Sequence, residues 1–251
     1  MGERSLEALD VSWARTAPAR VLRESVLMGL LGPAMDFYTR RRVLGLEHFE
    51  KLKAPVVFVA NHSSHMDTPA ILRALPHAWR RRSVVAAAAD YFYSKRRIAY
   101  PVSVFFSTVP MARDGRGLDS TTTAHLDRLM RDDWSLVMFA EGTRSRDGSV
   151  GRLRSGAAVL AAQHDLPLMP IHVSGTHDVM PVGRYWMRRR PGKPLPRRTP
   201  IEIRFGAPIQ PNGVEHRTEV MERVRVFFDQ AGAETTPAAE RSSELAGATS
   251  P

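Results

Sequence analysis

Asn61-His62-Ser63-Ser64-His65-Met66-Asp67 holds residue types and a spacing suited to proton transfer. It follows the apolar run Val56-Val57-Phe58-Val59-Ala60. His62 and Asp67 therefore fall just past the end of a buried strand, where the sites of open α/β sheets lie. A neutral imidazole, with an ordinary pKa of about 6.5, can take a proton from an alcohol near neutral pH when a carboxylate holds it. The same residues allow two other readings. Asp67 can cap the helix that follows a strand-end turn, and His62, His65 and Asp67 together can ligate a metal. A plain turn more often uses Gly or Pro than the polar run Asn61 to Ser64. No further cluster of histidines and acids at ligand spacing follows downstream.

A second constellation, Phe139-Ala140-Glu141-Gly142-Thr143-Arg144-Ser145, also follows an apolar run, Leu136 to Phe139. A strand that ends in an acid, a glycine and a threonine, then an arginine, offers backbone amides and a guanidinium to one anion. Either segment alone suits many loops. The two together point to a site with a base on one strand end and an anion holder on another.

These residues need a sheet to position them. Short apolar runs recur at Val56–Ala60, Val84–Ala88, Val102–Val109, Leu136–Phe139, Leu168–Val173 and Ile201–Phe205. Helical patterns lie between several of them, at Thr68–Leu75, Leu118–Arg131 and Gly156–Gln163, and a last one spans Val214–Asp229. This alternation predicts an α/β fold, a single domain with a mixed, mostly parallel sheet flanked by helices. Residues 1–42 read as an N-terminal amphipathic helical segment with a break near Gly32-Pro33, residues 43–230 as the domain, and residues 231–251 as a disordered tail poor in large apolar side chains.

The chain has 251 residues, 36 Lys and Arg against 26 Asp and Glu, a net charge of +10 and no cysteine. Disulfides, thiolate nucleophiles and cysteine-bound zinc are excluded. The basic balance calls for an anionic partner. The longest apolar stretch, Val26 to Met35, is ten residues, short of the roughly 20 that cross a bilayer. The expectation is a peripheral protein on the cytoplasmic face of an anionic membrane. It would be held there by the arginine-flanked N-terminal segment and by Met187–Arg198, a run with six basic residues, three prolines and no acid. Arginines with little aromatic interleaving do not suit a nucleic-acid platform, so no nucleic-acid partner is expected. A basic lipid-binding module without chemistry is the competing class, and it has no need of His62 and Asp67.

In order along the chain, these segments resemble the blocks of the glycerolipid acyltransferases, which include the 1-acylglycerol-3-phosphate (lysophosphatidate) acyltransferases. Asn61–Asp67 resembles the first block and Phe139–Ser145 the third. Ser107-Thr108-Val109-Pro110-Met111-Ala112-Arg113 stands where the second is found, though Ser107, Pro110 and Ala112 depart from its pattern. Leu168–Val173 resembles the apolar-proline block, and Arg154-Ser155-Gly156-Ala157 the basic-x-Gly-Ala segment. The resemblance implies a membrane-associated enzyme of phospholipid biosynthesis that moves a fatty acyl group from acyl-CoA or acyl carrier protein to a hydroxyl of a phosphorylated glycerolipid, such as lysophosphatidate. Glycerol 3-phosphate, another lysophospholipid or a glycolipid is the alternative acceptor. The resemblance further implies His62 as general base and Asp67 as its orienter, without a covalent acyl-enzyme, metal or cofactor beyond the thioester co-substrate. Arg113, Glu141, Gly142, Thr143 and Arg144 would bind the acceptor and its phosphate, with Arg116 as the alternative to Arg113. Asn61, His65 and Arg154 would support the site, while His172 and His177 read as structural.

Overall fold

A computed structural model of the chain describes residues 12–88, 105–111, 120–191 and 197–235. Seven strands form one sheet: β1 (Thr39–Leu44), β2 (Val57–Ala60), β3 (Ser83–Ala88), β4 (Thr108–Met111), β5 (Ser135–Phe139), β6 (Leu168–Ser174) and β7 (Thr199–Phe205). Their order is β1-β7-β6-β2-β5-β3-β4. Every neighbouring pair is parallel except β6 with β7. The helices are α1 (Ala17–Ser25), α2 (Gly32–Tyr38), α3 (Asp67–Ala74), α4 (His77–Arg81), α5 (Ser120–Arg131), α6 (Gly156–Gln163), α7 (Thr176–Val179) and α8 (Arg217–Thr235).

The strands follow the apolar runs because both faces of the sheet are covered. Along β2, Phe58 and Ala60 pack with residues of α2, α3 and β7, whereas Val57 and Val59 pack with residues of α5, α6 and α8. A strand buried on both sides must be apolar at every position. β2 lies between β5 and β6, so the carboxyl ends of three adjacent parallel strands open onto one pole.

β1 is a strand where the sequence suggested the flank of a helical segment. Thr39 to Leu44 pairs with β7 across the residue 42/43 boundary. Among the described residues it is an edge strand, and Arg40 and Arg42 are exposed, the latter 3.6 Å from Glu202 of β7. The expected break at Gly32-Pro33 takes a milder form. A π-helical stretch, Val26–Leu31, leads into α2, and Pro33 sits in the first turn of α2, where its missing N–H is tolerated. α8 runs on to Thr235 with Ala231 buried, so residues 231–235 are helix rather than tail.

Two buried arginines join the N-terminal helices to the sheet domain. Arg73 of α3 donates from Nη1 and Nη2 to both carboxylate oxygens of Asp36 on α2, at 3.0 and 2.9 Å. Arg80 of α4 holds Glu24 of α1 through Nε, at 2.9 and 3.1 Å, and through Nη2. The arginine-rich segment is stitched to α2 as well. Arg189 lies over the Phe37 ring at 4.1 Å and donates to the Phe37 carbonyl, and Trp186 Nε1 donates to the Tyr38 hydroxyl at 3.2 Å. Phe37, Tyr185 and Trp186 are exposed beside these arginines. Among the described residues no helix is long and apolar enough to cross a membrane.

Candidate active site

The chain leaves β2 at Asn61, whose side chain closes two hydrogen bonds with the backbone of Val173 on β6. Asn61 Nδ2 donates to the carbonyl at 2.8 Å, and Oδ1 accepts from the amide at 2.7 Å. This amide clamp fixes the point from which His62 projects. Asp67 opens α3 and is fully buried. Its Oδ2 accepts from the Ser63 and Ser64 amides at 2.7 and 2.8 Å and lies 2.8 Å from His62 Nδ1. A carboxylate there makes Nδ1 the protonated nitrogen and leaves the Nε2 lone pair free to act as a base. The imidazole is stacked on the Phe139 ring at 3.8 Å and 17°, and its side chain keeps 16% exposure. The imidazole thus has a carboxylate at Nδ1, a set ring plane and access from outside.

The loop after β5 is locked to the same place. Glu141 is buried and accepts from two backbone amides, His62 through Oε1 and Gly151 through Oε2, both at 2.9 Å. Ser145 N donates to the His62 carbonyl at 2.8 Å. Glu141 therefore braces the loop against His62, and its two carboxylate oxygens are taken up by amides. Gly142 has φ of +71°, and a Cβ there would stand 2.9 Å from Arg154 Nε. Its amide donates to the Phe139 carbonyl at 3.0 Å. Gly142 thus supplies the turn, with a positive φ that glycine adopts without strain. Arg154 supports the turn from behind, with its amide on the Ala140 carbonyl at 2.8 Å and Nε on the Glu141 carbonyl at 3.3 Å. Thr143 is exposed and Arg144 partly so.

The other expected residues divide clearly. His65 is exposed at the rim of the segment. Arg113 and Arg116 lie outside the described residues. His177 Nδ1 is 3.4 Å from the Ser63 carbonyl. His172 is buried on β6, and burial, with the Arg204 charge nearby, pushes its pKa down to about 4. Three contributors escaped the sequence reading: Phe139 under the imidazole, Gly151 on Glu141, and Thr176, whose Oγ1 donates to Asp67 Oδ1 at 2.5 Å. The available signal for Thr176 was its place: a Gly-Thr pair, Gly175-Thr176, directly after β6, with a second, Gly142-Thr143, a few residues after β5.

Residues 40–174 match the family model described as Acyltransferase. The chain belongs to the acyltransferase family. Among its relatives, a chloroplastic 1-acyl-sn-glycerol-3-phosphate acyltransferase of Brassica napus is 30% identical over 146 residues, which cover 56% of this chain and 39% of that one. The alpha 1-acyl-sn-glycerol-3-phosphate acyltransferase of Homo sapiens is 30% identical over 141 residues, covering 55% and 47%. The chain spans less than half the length of each of these relatives. The crystal structure of the 1-acyl-sn-glycerophosphate (LPA) acyltransferase PlsC from Thermotoga maritima shares the fold, with a TM-score of 0.63 and 21% identity over 85% of this chain and 82% of that one. In this member of the family, the first and third blocks come from neighbouring strands β2 and β5. The bonds from His62 to Glu141 and Ser145 make them one site.

Proposed function

We propose that the chain transfers a fatty acyl group from an acyl thioester to a free hydroxyl of lysophosphatidate, with His62 as general base. The observation that carries this reading is the His62 Nδ1 to Asp67 Oδ2 contact of 2.8 Å at the carboxyl end of β2. In the forward step the acceptor hydroxyl gives its proton to His62 Nε2 as its oxygen bonds to the thioester carbonyl carbon. The carbonyl electron pair moves onto its oxygen, giving a tetrahedral intermediate. Collapse re-forms the carbonyl and breaks the carbon–sulfur bond. The departing thiolate takes the proton from the imidazolium, so the products are an ester and a free thiol. Asp67 keeps Nδ1–H in place and offsets the imidazolium charge.

General-base assistance is worth roughly 10²–10⁴-fold, and holding the two substrates together supplies more. The thioester is already activated, so the chemistry calls for no metal or cofactor. The donor is acyl-CoA or acyl carrier protein. With Glu141 and Gly142 engaged in the loop itself, Thr143 and Arg144 remain to meet the acceptor's phosphate, completed by Arg113 or Arg116. The exposed aromatics and arginines of α2 and the 184–198 segment suit the headgroup layer of an anionic membrane. Such docking makes the chain a peripheral protein of the cytoplasmic face and brings a lipid acceptor to the pole where His62 lies.

The test is turnover of the purified chain on palmitoyl-CoA with lysophosphatidate, glycerol 3-phosphate and other lysolipids, read by thiol release and product mass. Ester formation on lysophosphatidate, lowered at least a hundredfold in His62→Ala, is expected. Wild-type turnover by that variant would remove the base assignment, and a preference for another acceptor would replace the substrate.

A further inference from the structure

Asp67 has two carboxylate oxygens with different duties. Oδ2 takes the His62 imidazole and the amides of Ser63 and Ser64. Oδ1 takes the hydroxyl of Thr176 at 2.5 Å, from a chain segment 109 residues away. Thr176 is itself fully buried. Its one proton must go to the carboxylate, which in its ionised form only accepts. The Ser63 hydroxyl, 3.3 Å from Thr176 Oγ1, can then donate to Thr176. The chain of donors thus runs Ser63, Thr176, Asp67 Oδ1, and ends on the opposite oxygen at His62.

The local fold is arranged for this contact. β6 ends at Ser174, opposite Glu202 of the antiparallel β7. Gly175 then turns with φ of +78°, and a Cβ there would stand 2.2 Å from the Pro200 carbonyl. That turn delivers Thr176, the first residue of α7, beneath the carboxylate. Glycine is required because the close backbone approach and the positive φ both exclude a side chain.

We propose that Thr176 is a positioning residue of the acyl-transfer reaction, contributed by a third strand end. Through Oδ1 it holds the Asp67 carboxylate in the rotation that aims Oδ2 at His62 Nδ1. It also keeps the negative charge of Asp67 compensated, so that the proton stays on Nδ1 when the imidazolium forms. Among the described residues, Thr176 makes the one hydrogen bond to Oδ1, and backbone amides approach only Oδ2. Without Thr176 the three contacts on Oδ2 leave the carboxylate plane free to tilt about its own bond. The proposal rests on the reading of His62 as base.

The experiment compares Thr176→Val, Thr176→Ser, Asp67→Asn, the Asp67→Asn/Thr176→Val double variant and His62→Ala, by thiol release from palmitoyl-CoA with lysophosphatidate at saturating and limiting concentrations. Thr176→Val keeps the shape and loses the hydroxyl. It is expected to lower kcat about 10- to 100-fold with each KM within about threefold, the size of a misplaced general base. Thr176→Ser is expected to restore kcat to within about threefold of wild type. In the Asp67→Asn background, Thr176→Val is expected to cost less than about threefold, because a residue acting through Asp67 has nothing left to position. Wild-type kcat for Thr176→Val, no rescue by serine, or an undiminished loss in the Asp67→Asn background would each overturn the proposal. Retained turnover in His62→Ala would overturn the base reading along with it. A dead His62→Ala beside a fully active Thr176→Val would overturn the Thr176 proposal alone.

Discussion

Glu141 holds the backbone amide of His62 with one carboxylate oxygen and that of Gly151 with the other, each at 2.9 Å. One side chain thereby joins the strand end that carries His62 to both ends of the loop after β5. Shortening it leaves two backbone donors unpaired, at about 1–3 kcal/mol for each one that stays buried. Glu141→Ala is expected to lower kcat about a hundredfold and to lower the melting temperature. Glu141→Gln retains an acceptor for only one of the two amides and should fall between. Parallel kinetics and thermal melts check this, and full activity in Glu141→Ala would contradict the brace.

The Arg80–Glu24 pair makes a prediction about stability. Arg80 is nearly buried, so removing its partner strands a guanidinium, at a cost of roughly 3 kcal/mol. Glu24→Ala should lose about that much stability in urea titration and expose α1 to protease first. Burial raises the Glu24 pKa, but the Arg80 hydrogen bond and charge outweigh it and hold the pKa below the ordinary 4.5. A carboxylate with a depressed folded pKa gives stability that is present above its unfolded pKa and lost as pH falls through the folded one. The difference between wild type and Glu24→Ala should therefore shrink on acidification below about pH 4.5.

His172 makes a second prediction about pH. Its folded pKa of about 4 stands below the ordinary 6.5, so the unfolded chain binds the proton more readily. Stability contributed by the neutral ring is full above 6.5 and drains away as pH falls from there to about 4. The shift corresponds to an effect on the order of 3 kcal/mol. Its Nδ1 has no hydrogen-bond partner among the described residues, and its ring faces Phe228 at 6.0 Å. His172→Phe should fold and should flatten the acid limb of the stability curve in that window. An unchanged acid limb would assign the loss to other groups.

The joint surface of α2 and the arginine-rich segment predicts membrane behaviour. Trp186→Ser with Arg189→Ser removes the indole on Tyr38 and the guanidinium on Phe37. Co-sedimentation with vesicles of mixed neutral and anionic lipid should weaken at least tenfold at low salt, with turnover on a detergent-dispersed acceptor retained. Equal sedimentation of the variant would remove this surface from the docking face.

The fold was legible where both faces of a strand are buried, because such strands must be apolar throughout. Val57 to Ala60 is wholly of this kind, and Leu136-Val137 of β5 is the like stretch beside it. β1 was not legible, because an edge strand needs little apolar surface and its three arginines mimic a helix flank. The end of α8 was missed for a related reason: Ala231 is buried, but alanine carries little signal of a core. At the site, His62 and Asp67 were readable from spacing within one segment. The contacts of Glu141 with amides, of Gly142 with Phe139, and of Thr176 with Asp67 were not, since they depend on which strand ends meet. Proximity of β2, β5 and β6 is a property of the sheet order and leaves no mark in any one segment.

α3 begins at Asp67 and carries Arg73 six residues on, a separation of about 9 Å along a single helix. The carboxylate that meets His62 and the guanidinium that grips α2 are thus fixed to one short rod. On the acyl-transfer reading proposed above, a substitution at Asp36 would reach His62 as a tilt of that rod. On that reading, variation along α2 tunes turnover as well as attachment.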